Sequence, residues 1–441
     1  MINRWLFTQI DNSALIIFRV FFGFLIAAEA IGAIFTGWVK RTLVDPEFTF
    51  NFIGFDFLQP LPGNGMYFYF AIMGVFGLLV MIGFKYRWSM IAYTVMWAGV
   101  YFMQKASYNN HYYLLLLLCI LMSILPAGNY FSLDVKRNPA LKQISMPRWV
   151  VLVIIAQLWI VYTYASVAKF YPDWLDYTVA KNLMAGRAYY PIIGDIIQGH
   201  WAHVSVTYFG ILFDLLIVPL LLWKRTRLVA FCISIFFHLF NSIIFQIGIF
   251  PYMSLAFTVF FFSKERIHHI FMRKKEFYAA NEIQVPSYKK VLITLSIIWF
   301  VIQIALPLRH WLIPGDVLWT EEGHRLSWRM MLRGRSGNTN FYVVDKNDPK
   351  AKRSYINKQQ YVSKKQVRLV STKPDAMWQF AQRLKQRYAA EGQDIAVYVR
   401  SNISINGKKS KLFIDPKVDL ANVPWNYFTT NPWIIQYPEE E

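Results

Sequence analysis

The sequence predicts a polytopic α-helical membrane protein, with about nine transmembrane helices and a C-terminal extracytoplasmic α+β domain. Three observations carry this reading. The 441 residues are 56% hydrophobic and 18% aromatic but only 16% charged, a balance foreign to soluble domains. Apolar runs recur as far as residue 308, several near the ~20 residues a helix needs to cross a bilayer. From Arg309 onward the runs give way to short alternating stretches of strand type.

The runs span 15–35, 66–84, 89–103, 112–125, 149–168, 205–223, 228–245, 252–262 and 291–308, the third, fourth and eighth being short. Loop charges set their orientation. With a cytoplasmic N-terminus, the inside loops receive Lys85 and Arg87, then Lys136, Arg137, Lys142 and Arg148, then Lys224, Arg225 and Arg227, then Lys264, Arg266, Arg273, Lys274 and Lys275. That is the positive-inside pattern. The opposite face takes loops 36–65, 104–111, 169–204 and 246–251, and the C-terminal region.

The first run is read as a span and not as a cleaved signal. Ala28, Glu29 and Ala30 mimic a cleavage site, but Arg19 interrupts the apolar core and only Arg4 precedes it. Arg19 and Glu29 are ten residues apart, too far to pair along one helix, so each is expected to find a partner in the bundle. Asp214, in the sixth run, is either a structural ion-pair member or a functional group. Cys119 and Cys232 both fall within runs, so no disulfide framework is expected.

The domain boundaries drawn from this are 1–308 for the membrane part and 309–441 for the tail. In the tail, 340–344, 366–370, 395–399 and 411–414 read as strands, 375–391 as an amphipathic helix, and Asn406 with Gly407 as a hairpin turn. The net charge of +20 follows largely from the cytoplasmic loops, while the tail holds 22 basic and 13 acidic residues, a net of +9. Such an excess attracts membrane lipids of anionic type or an acidic peptide; nucleic acid is not an expected partner outside the cytoplasm. No repeat or low-complexity segment occurs, and Glu439, Glu440 and Glu441 form a short acidic end.

Lys169 is the residue most in need of explanation. It closes the fifth run, where an ammonium is costly and an ionisable group is a functional-site hypothesis. Asn109, Asn110 and His111 open the fourth run; His238 and Asn241, three apart, share one face of the seventh. All fall toward the extracytoplasmic side, around one potential cavity. The plain alternatives are that Lys169 snorkels beside Tyr171 and Trp174, that His111 caps its helix, and that His238 and Asn241 hydrogen-bond between helices. No metal ligand set is expected.

Five stretches give these residues a context: YNNHYY at 108–113, YTYASVAK at 162–169 followed by Asp173 and Trp174, FHLFNS at 237–242 with IGIF at 247–250, WT at 319–320 with LSWRMM at 326–331, and IDPKVD at 414–419. In order and at this spacing, the chain resembles the vitamin K-dependent gamma-glutamyl carboxylases and their bacterial HTTM-domain relatives over nearly its whole length. The resemblance implies an enzyme in which a lysine deprotonates reduced vitamin K, the quinol anion reacts with O2, and the strongly basic alkoxide so formed removes a γ-proton from glutamate. CO2 traps the carbanion, and the quinol leaves as its 2,3-epoxide.

Carried over residue by residue, the resemblance makes Lys169 the base, with His111 and Asn110 at the quinol oxygen. Asn109, Tyr162, His238 and Asn241 then line the cofactor pocket, and Trp319, Trp328 and Met331 lie beside a glutamate-containing peptide. The cofactor would be phylloquinol or menaquinol, with O2 and CO2 as co-substrates and no metal. Elementary chemistry is compatible: a free lysine, near ~10.4, is too basic for neutral-pH work, but desolvation disfavours the ammonium. Water exclusion also protects a strong base from quenching.

Two features depart from the animal enzymes. The chain ends at 441, short of their propeptide-binding region, and their lumenal disulfide has no counterpart. Substrate anchoring, and carboxylation with it, is therefore less firmly implied than quinol epoxidation, which needs only the pocket. A bacterial inner membrane is the expected location, with the endoplasmic reticulum as the alternative. A transporter or a non-catalytic receptor is the competing class, and neither would turn over a quinol.

Overall fold

The computed structural model describes residues 2–348, 350 and 352–436; the acidic end at 439–441 lies outside them. Helices α1 (Ser13–Phe35), α2 (Gly65–Ile82), α3 (Tyr86–Met103), α4 (Asn110–Ile124), α5 (Trp149–Val167), α6 (His200–Leu222), α7 (Arg227–Phe245), α8 (Phe250–Phe257) and α9 (Lys289–Leu308) occupy the nine apolar runs. The expected count of nine spans is nevertheless not confirmed. Among the described residues, six helices are long and apolar enough to cross a membrane: α1, α2, α5, α6, α7 and α9 with its extension to Trp311. Helix α3 is long enough but diluted by Arg87 and its tyrosines, while α4 and α8 are short.

Helices α1 and α2 approach most closely because glycines remove the obstacle. A Cβ on Gly23 would lie 2.4 Å from the Met81 backbone nitrogen, and one on Gly77 2.7 Å from that of Ala27, so backbones meet where side chains would hold them apart. The charges inside α1 find partners as expected. Arg19 donates to the carbonyls of Ala127, Tyr130 and Phe131 at the end of the next hairpin. Glu29 accepts from the Tyr112 hydroxyl at 2.7 Å. Strand β1 (Gln9–Asp11) pairs antiparallel with β2 (Ser145–Pro147), and beside it Asp11 forms a fully buried ion pair with Lys275.

The tail folds as one antiparallel sheet, order β4-β3-β5-β6, built from β3 (Arg335–Asp345), β4 (Ser354–Ile356), β5 (Ile395–Ile405) and β6 (Lys411–Leu412). Helix α10 (Pro374–Ala390) covers it. Its buried Ala376, Met377, Phe380, Ala381 and Leu384 recur at helical spacing and form the apolar stripe that faces the sheet. Asn406 and Gly407 both take positive φ, 53° and 83°, as a tight turn between β5 and β6 requires. The expected strand at 366–370 is instead the end of a helix, Lys364–Val370. A capping box between Ser363 and Gln366 starts it, a local signal that outweighs the two-residue alternation. The outer loop before α2 also joins this domain: Phe50 lies in its core, and Gln366 and Gln379 donate to the carbonyls of Phe48 and Asn51.

Candidate active site

Lys169 follows the last turn of α5, and its side chain folds back on that helix. Its Nζ donates to the Ala165 carbonyl at 3.0 Å, one of the carbonyls that a helix leaves unpaired at its negative end. The same nitrogen pairs with Asp214 on α6, and the Trp174 ring centroid lies 5.5 Å away. Two hydrogen bonds lock the helices around this pair: Ser166 Oγ to the Ile211 carbonyl at 3.0 Å, and the Trp174 indole to the Thr207 carbonyl at 3.4 Å. Lys169 is therefore buried and paired, not extended toward an interface.

Two turns earlier on the same face of α5, the Tyr162 hydroxyl meets His238 Nε2 at 3.2 Å. His238 is fenced by the edges of Phe213, Phe237 and Phe250, with ring centroids 5.4 to 5.9 Å away. Its Nδ1 is buried with no partner among the described residues. His111 stacks on the other side of this group, its ring 4.2 Å from that of Phe250 and inclined by 22°. Phe250 thus bridges two histidines that are 127 positions apart. The arrangement offers a stacking surface, an unpaired ring nitrogen and a phenol side by side, with an ammonium–carboxylate pair two turns further along α5.

The remaining expected residues divide. Asn110 accepts from the Tyr108 hydroxyl at 2.9 Å and donates to the Arg329 carbonyl at 3.2 Å, tying α4 to the tail. Asn109 caps α4 by accepting from the Tyr112 amide at 2.7 Å. Asn241 shares a helix face with His238 but lines an apolar groove of about 570 Å³ with Trp201, Leu212 and Phe240. Trp328 is wholly buried and stacks on Tyr113 at 4.8 Å. Trp319 lies in the core of the α+β domain, its indole donating to the Ile435 carbonyl at 2.6 Å. Met331 is partly exposed.

A strap from Glu321 to Arg333 runs between the two halves. Four of its non-glycine residues, Glu321, Leu326, Trp328 and Met331, have φ between 53° and 65°, left-handed backbone that side chains disfavour. Charge clusters hold it. Glu321 pairs with Arg333, with Lys373 at 2.8 Å and with Arg335 at 3.4 Å. Burial favours its neutral form, but these cations and His324 hold the carboxyl well below the usual range. Asp375, at the start of α10, meets Lys105 at 2.6 Å and Arg325 at 2.8 Å. Burial opposes its charge too, yet Arg325 and Lys105 hold it down at about 2, while burial pushes Lys105 down to about 8.

Residues 7–265 match the HTTM domain, and residues 288–440 match the lumenal domain of vitamin K-dependent gamma-carboxylase. The chain belongs to the vitamin K-dependent gamma-carboxylase family. No solved structure matches it significantly. The carboxylase domains point to a vitamin K-dependent carboxylase-like enzyme, with reduced vitamin K as cofactor and glutamate-containing substrates. Its apolar helices make it an integral membrane protein, and the lumenal match puts the C-terminal domain topologically outside. The lumenal match begins at 288, so it takes in α9.

Sequence reading left Asp214 undecided and did not single out Phe250, Glu321 or the Lys105–Asp375 pair. Asp214 carried a signal, as an acid inside an apolar run, and Phe250 closes the IGIF stretch. The others pair residues remote in the chain, and nothing in local periodicity announces such a contact.

Proposed function

We propose that this carboxylase-family chain couples O2-dependent epoxidation of a naphthoquinol, phylloquinol or menaquinol, to carboxylation of glutamate side chains by CO2. The observation that carries the reading is Lys169, held between Asp214 and the end of α5, on the helix face that also presents Tyr162 to His238. The residues fit a planar bicyclic quinol: His238 Nδ1 has no partner among the described residues, and the His111–Phe250 stack offers a flat apolar wall. What reduced vitamin K supplies when bound is reducing power for oxygen and, through it, basicity sufficient for a γ-proton of glutamate.

The chain's own groups do the rest. Lys169 serves as base at Nζ when its proton has passed to another group, and Asp214 is the carboxylate in contact to receive it. His238 orients through Tyr162, leaving Nδ1 for a quinol oxygen. Asn110 acts at one remove, since its side chain is engaged with Tyr108 and the strap, and His111 contributes as a stacking wall. The aromatic enclosure excludes water from these groups. Trp328 shapes the wall behind Tyr113, Met331 is the strap residue open to a peptide, and Trp319 supports the domain from its core.

In this reading residues 1–308 form the catalytic part and 309–441 the peptide side, with the N-terminus in the cytoplasm of a bacterial host. That orientation needs an odd number of crossings, so the more polar α3 and the short α4 and α8 must together supply an odd number beyond the six. The test is epoxide formation from a reduced naphthoquinone under O2, with labelled CO2 and a glutamate peptide present. Epoxide and label from the native chain, and neither from folded Lys169→Ala, supports the whole reading. Epoxide without label reduces it to a quinol epoxidase, and no epoxide from the native chain overturns it.

A further inference from the structure

On the other side of α5 a cavity of about 460 Å³ opens at the outer ends of α5 and α9, lined among others by Tyr164, Phe170, Pro307, Trp311, Leu318 and Arg329. It does not belong to the Lys169 cluster. Lys169 turns toward α6, whereas Tyr164 turns toward α9 and donates to the Ile304 carbonyl at 3.3 Å. The walls are mostly apolar. Phe170 and Trp311 are exposed, and α9 presents Leu295, Ile298, Val301 and Ile302 outward along its length, so the mouth of the cavity lies where a span ends in an aromatic residue of the interfacial kind.

Arg329 is the anomaly in this cavity. It is 8% exposed, yet its Nε is buried without a partner among the described residues. Its hydrogen-bonded side-chain neighbour is His310, with Nη1 3.2 Å from Nε2. The Pro307 carbonyl lies 2.7 Å from His310 Nδ1 and can only accept, so Nδ1 carries the proton and Nε2 accepts from the guanidinium. His310 therefore aims Arg329 without neutralising it. Its neighbours on the strap each have a carboxylate, Asp375 for Arg325 and Glu321 for Arg333. The acid that lines this cavity, Asp316, is engaged with the Leu318 amide at 2.8 Å and forms no ion pair with Arg329 among the described residues.

A buried guanidinium in ion-pair contact with no carboxylate among the described residues, with Asp316 and Glu321 acting on it only through space, at the inner wall of an apolar cavity, suits an oxyanion carried on an apolar tail. We propose that this cavity binds the phosphate of an anionic phospholipid at the extracytoplasmic surface, with Arg329 as its ligand and the chains leaving past Phe170 and Trp311. A phospholipid is favoured over an acidic peptide because the walls are apolar and the mouth faces the exposed side of α9. The proposal is independent of the quinol chemistry.

The experiment is thermal unfolding of the purified full chain in detergent, titrated with short-chain phosphatidylglycerol, short-chain phosphatidylcholine, inorganic phosphate or a glutamate tripeptide. The expected result is a saturable rise in Tm with phosphatidylglycerol, at concentrations roughly tenfold below those of phosphatidylcholine. Arg329→Gln should lose that preference, Arg329→Lys should keep part of it, and the exposed control Lys417→Gln should keep all of it. Equal shifts for the two lipids overturn the proposal on the native chain alone, even if the Arg329 variants do not fold. A full shift with inorganic phosphate at the lipid's concentration reduces the site to a free-anion site. Displacement of the lipid by the tripeptide makes it a carboxylate site, and either result overturns the lipid assignment.

Discussion

Two groups of buried charge in this molecule, the strap and the Lys169 cluster, are built on opposite plans. At the strap, two carboxylates are each surrounded by more than one cation: three pair with Glu321 and two with Asp375. In the membrane part, Lys169 has one carboxylate, and His238, held by Tyr162 two turns earlier on α5, keeps a bare ring nitrogen. Saturated networks hold strained backbone in place. A network with one proton-accepting partner and an unpaired nitrogen is open to a ligand, which is how reactive sites are provisioned.

The comparison breaks most sharply at Lys169. Lys169→Ala should lower quinol turnover in the folded population by about a thousandfold or more, within or beyond the usual span of acid–base effects, and should also cost stability, because Asp214 is left buried without its partner. Asp214→Asn should lower turnover too and shift its pH profile, because the amide cannot take a proton from Lys169. A folded Lys169→Ala protein with native turnover would place Lys169 in the structural class with the strap.

Asp375→Asn should do the reverse. It leaves Lys105 and Arg325 facing each other without their carboxylate, a loss of about 3–5 kcal/mol for a buried pair deprived of one partner. Limited proteolysis would then release the lumenal domain at lower temperature, whereas epoxidation measured in the folded population should change far less. Loss of turnover without loss of protease resistance would mean that the clamp takes part in the chemistry.

Acidity offers a subtler probe of the same clamp. Asp375 is held at about 2, below its ordinary 3.8, so its contribution is present above pH ~4 and is lost as the pH falls toward ~2. Lys105 works in the opposite sense to an ordinary paired lysine. Its value is lowered from 10.5 to about 8, so the unfolded chain binds more protons across that interval and stability rises with pH from 8 to 10.5. Thermal midpoints across these two windows should slope upward in the native chain, and the upper slope should be shallower in Lys105→Met, with Lys275, Lys358, Lys365 and Lys373, also lowered by burial, carrying what remains.

Much of the membrane part was legible from sequence because lipid leaves few choices. Apolar length predicts a helix, and an ionisable residue within it predicts a partner, as Arg19, Glu29 and Asp214 all show. Composition was a poorer guide to the number of spans, since α3 and α4 pack in the bundle as helices do while being too polar or too short to qualify alone. In the lumenal domain, alternation identified β3 and β5 but mistook 366–370, where the Ser363 capping box decides. Trp319 illustrates a different limit. A tryptophan in a matching motif reads as a binding residue, and only the fold reveals that its indole is spent on the Ile435 carbonyl within a core.

The smallest expected effect separates two neighbours that sequence treats alike. Asn109 caps α4 through the Tyr112 amide, so Asn109→Ala should cost about 0.5–2 kcal/mol of stability, and Asn109→Asp or Asn109→Ser should restore it with turnover unchanged throughout. Asn110 instead joins Tyr108 to the strap carbonyl of Arg329, so it touches neither cap nor stacked histidine. Its replacement by alanine should leave helix stability nearly unchanged and raise the KM for a glutamate peptide, because the strap then loses its tether to α4. If Asn110→Ala lowers kcat with KM unchanged, Asn110 acts on the quinol side, and the boundary between the open cluster and the saturated one must be redrawn to include it.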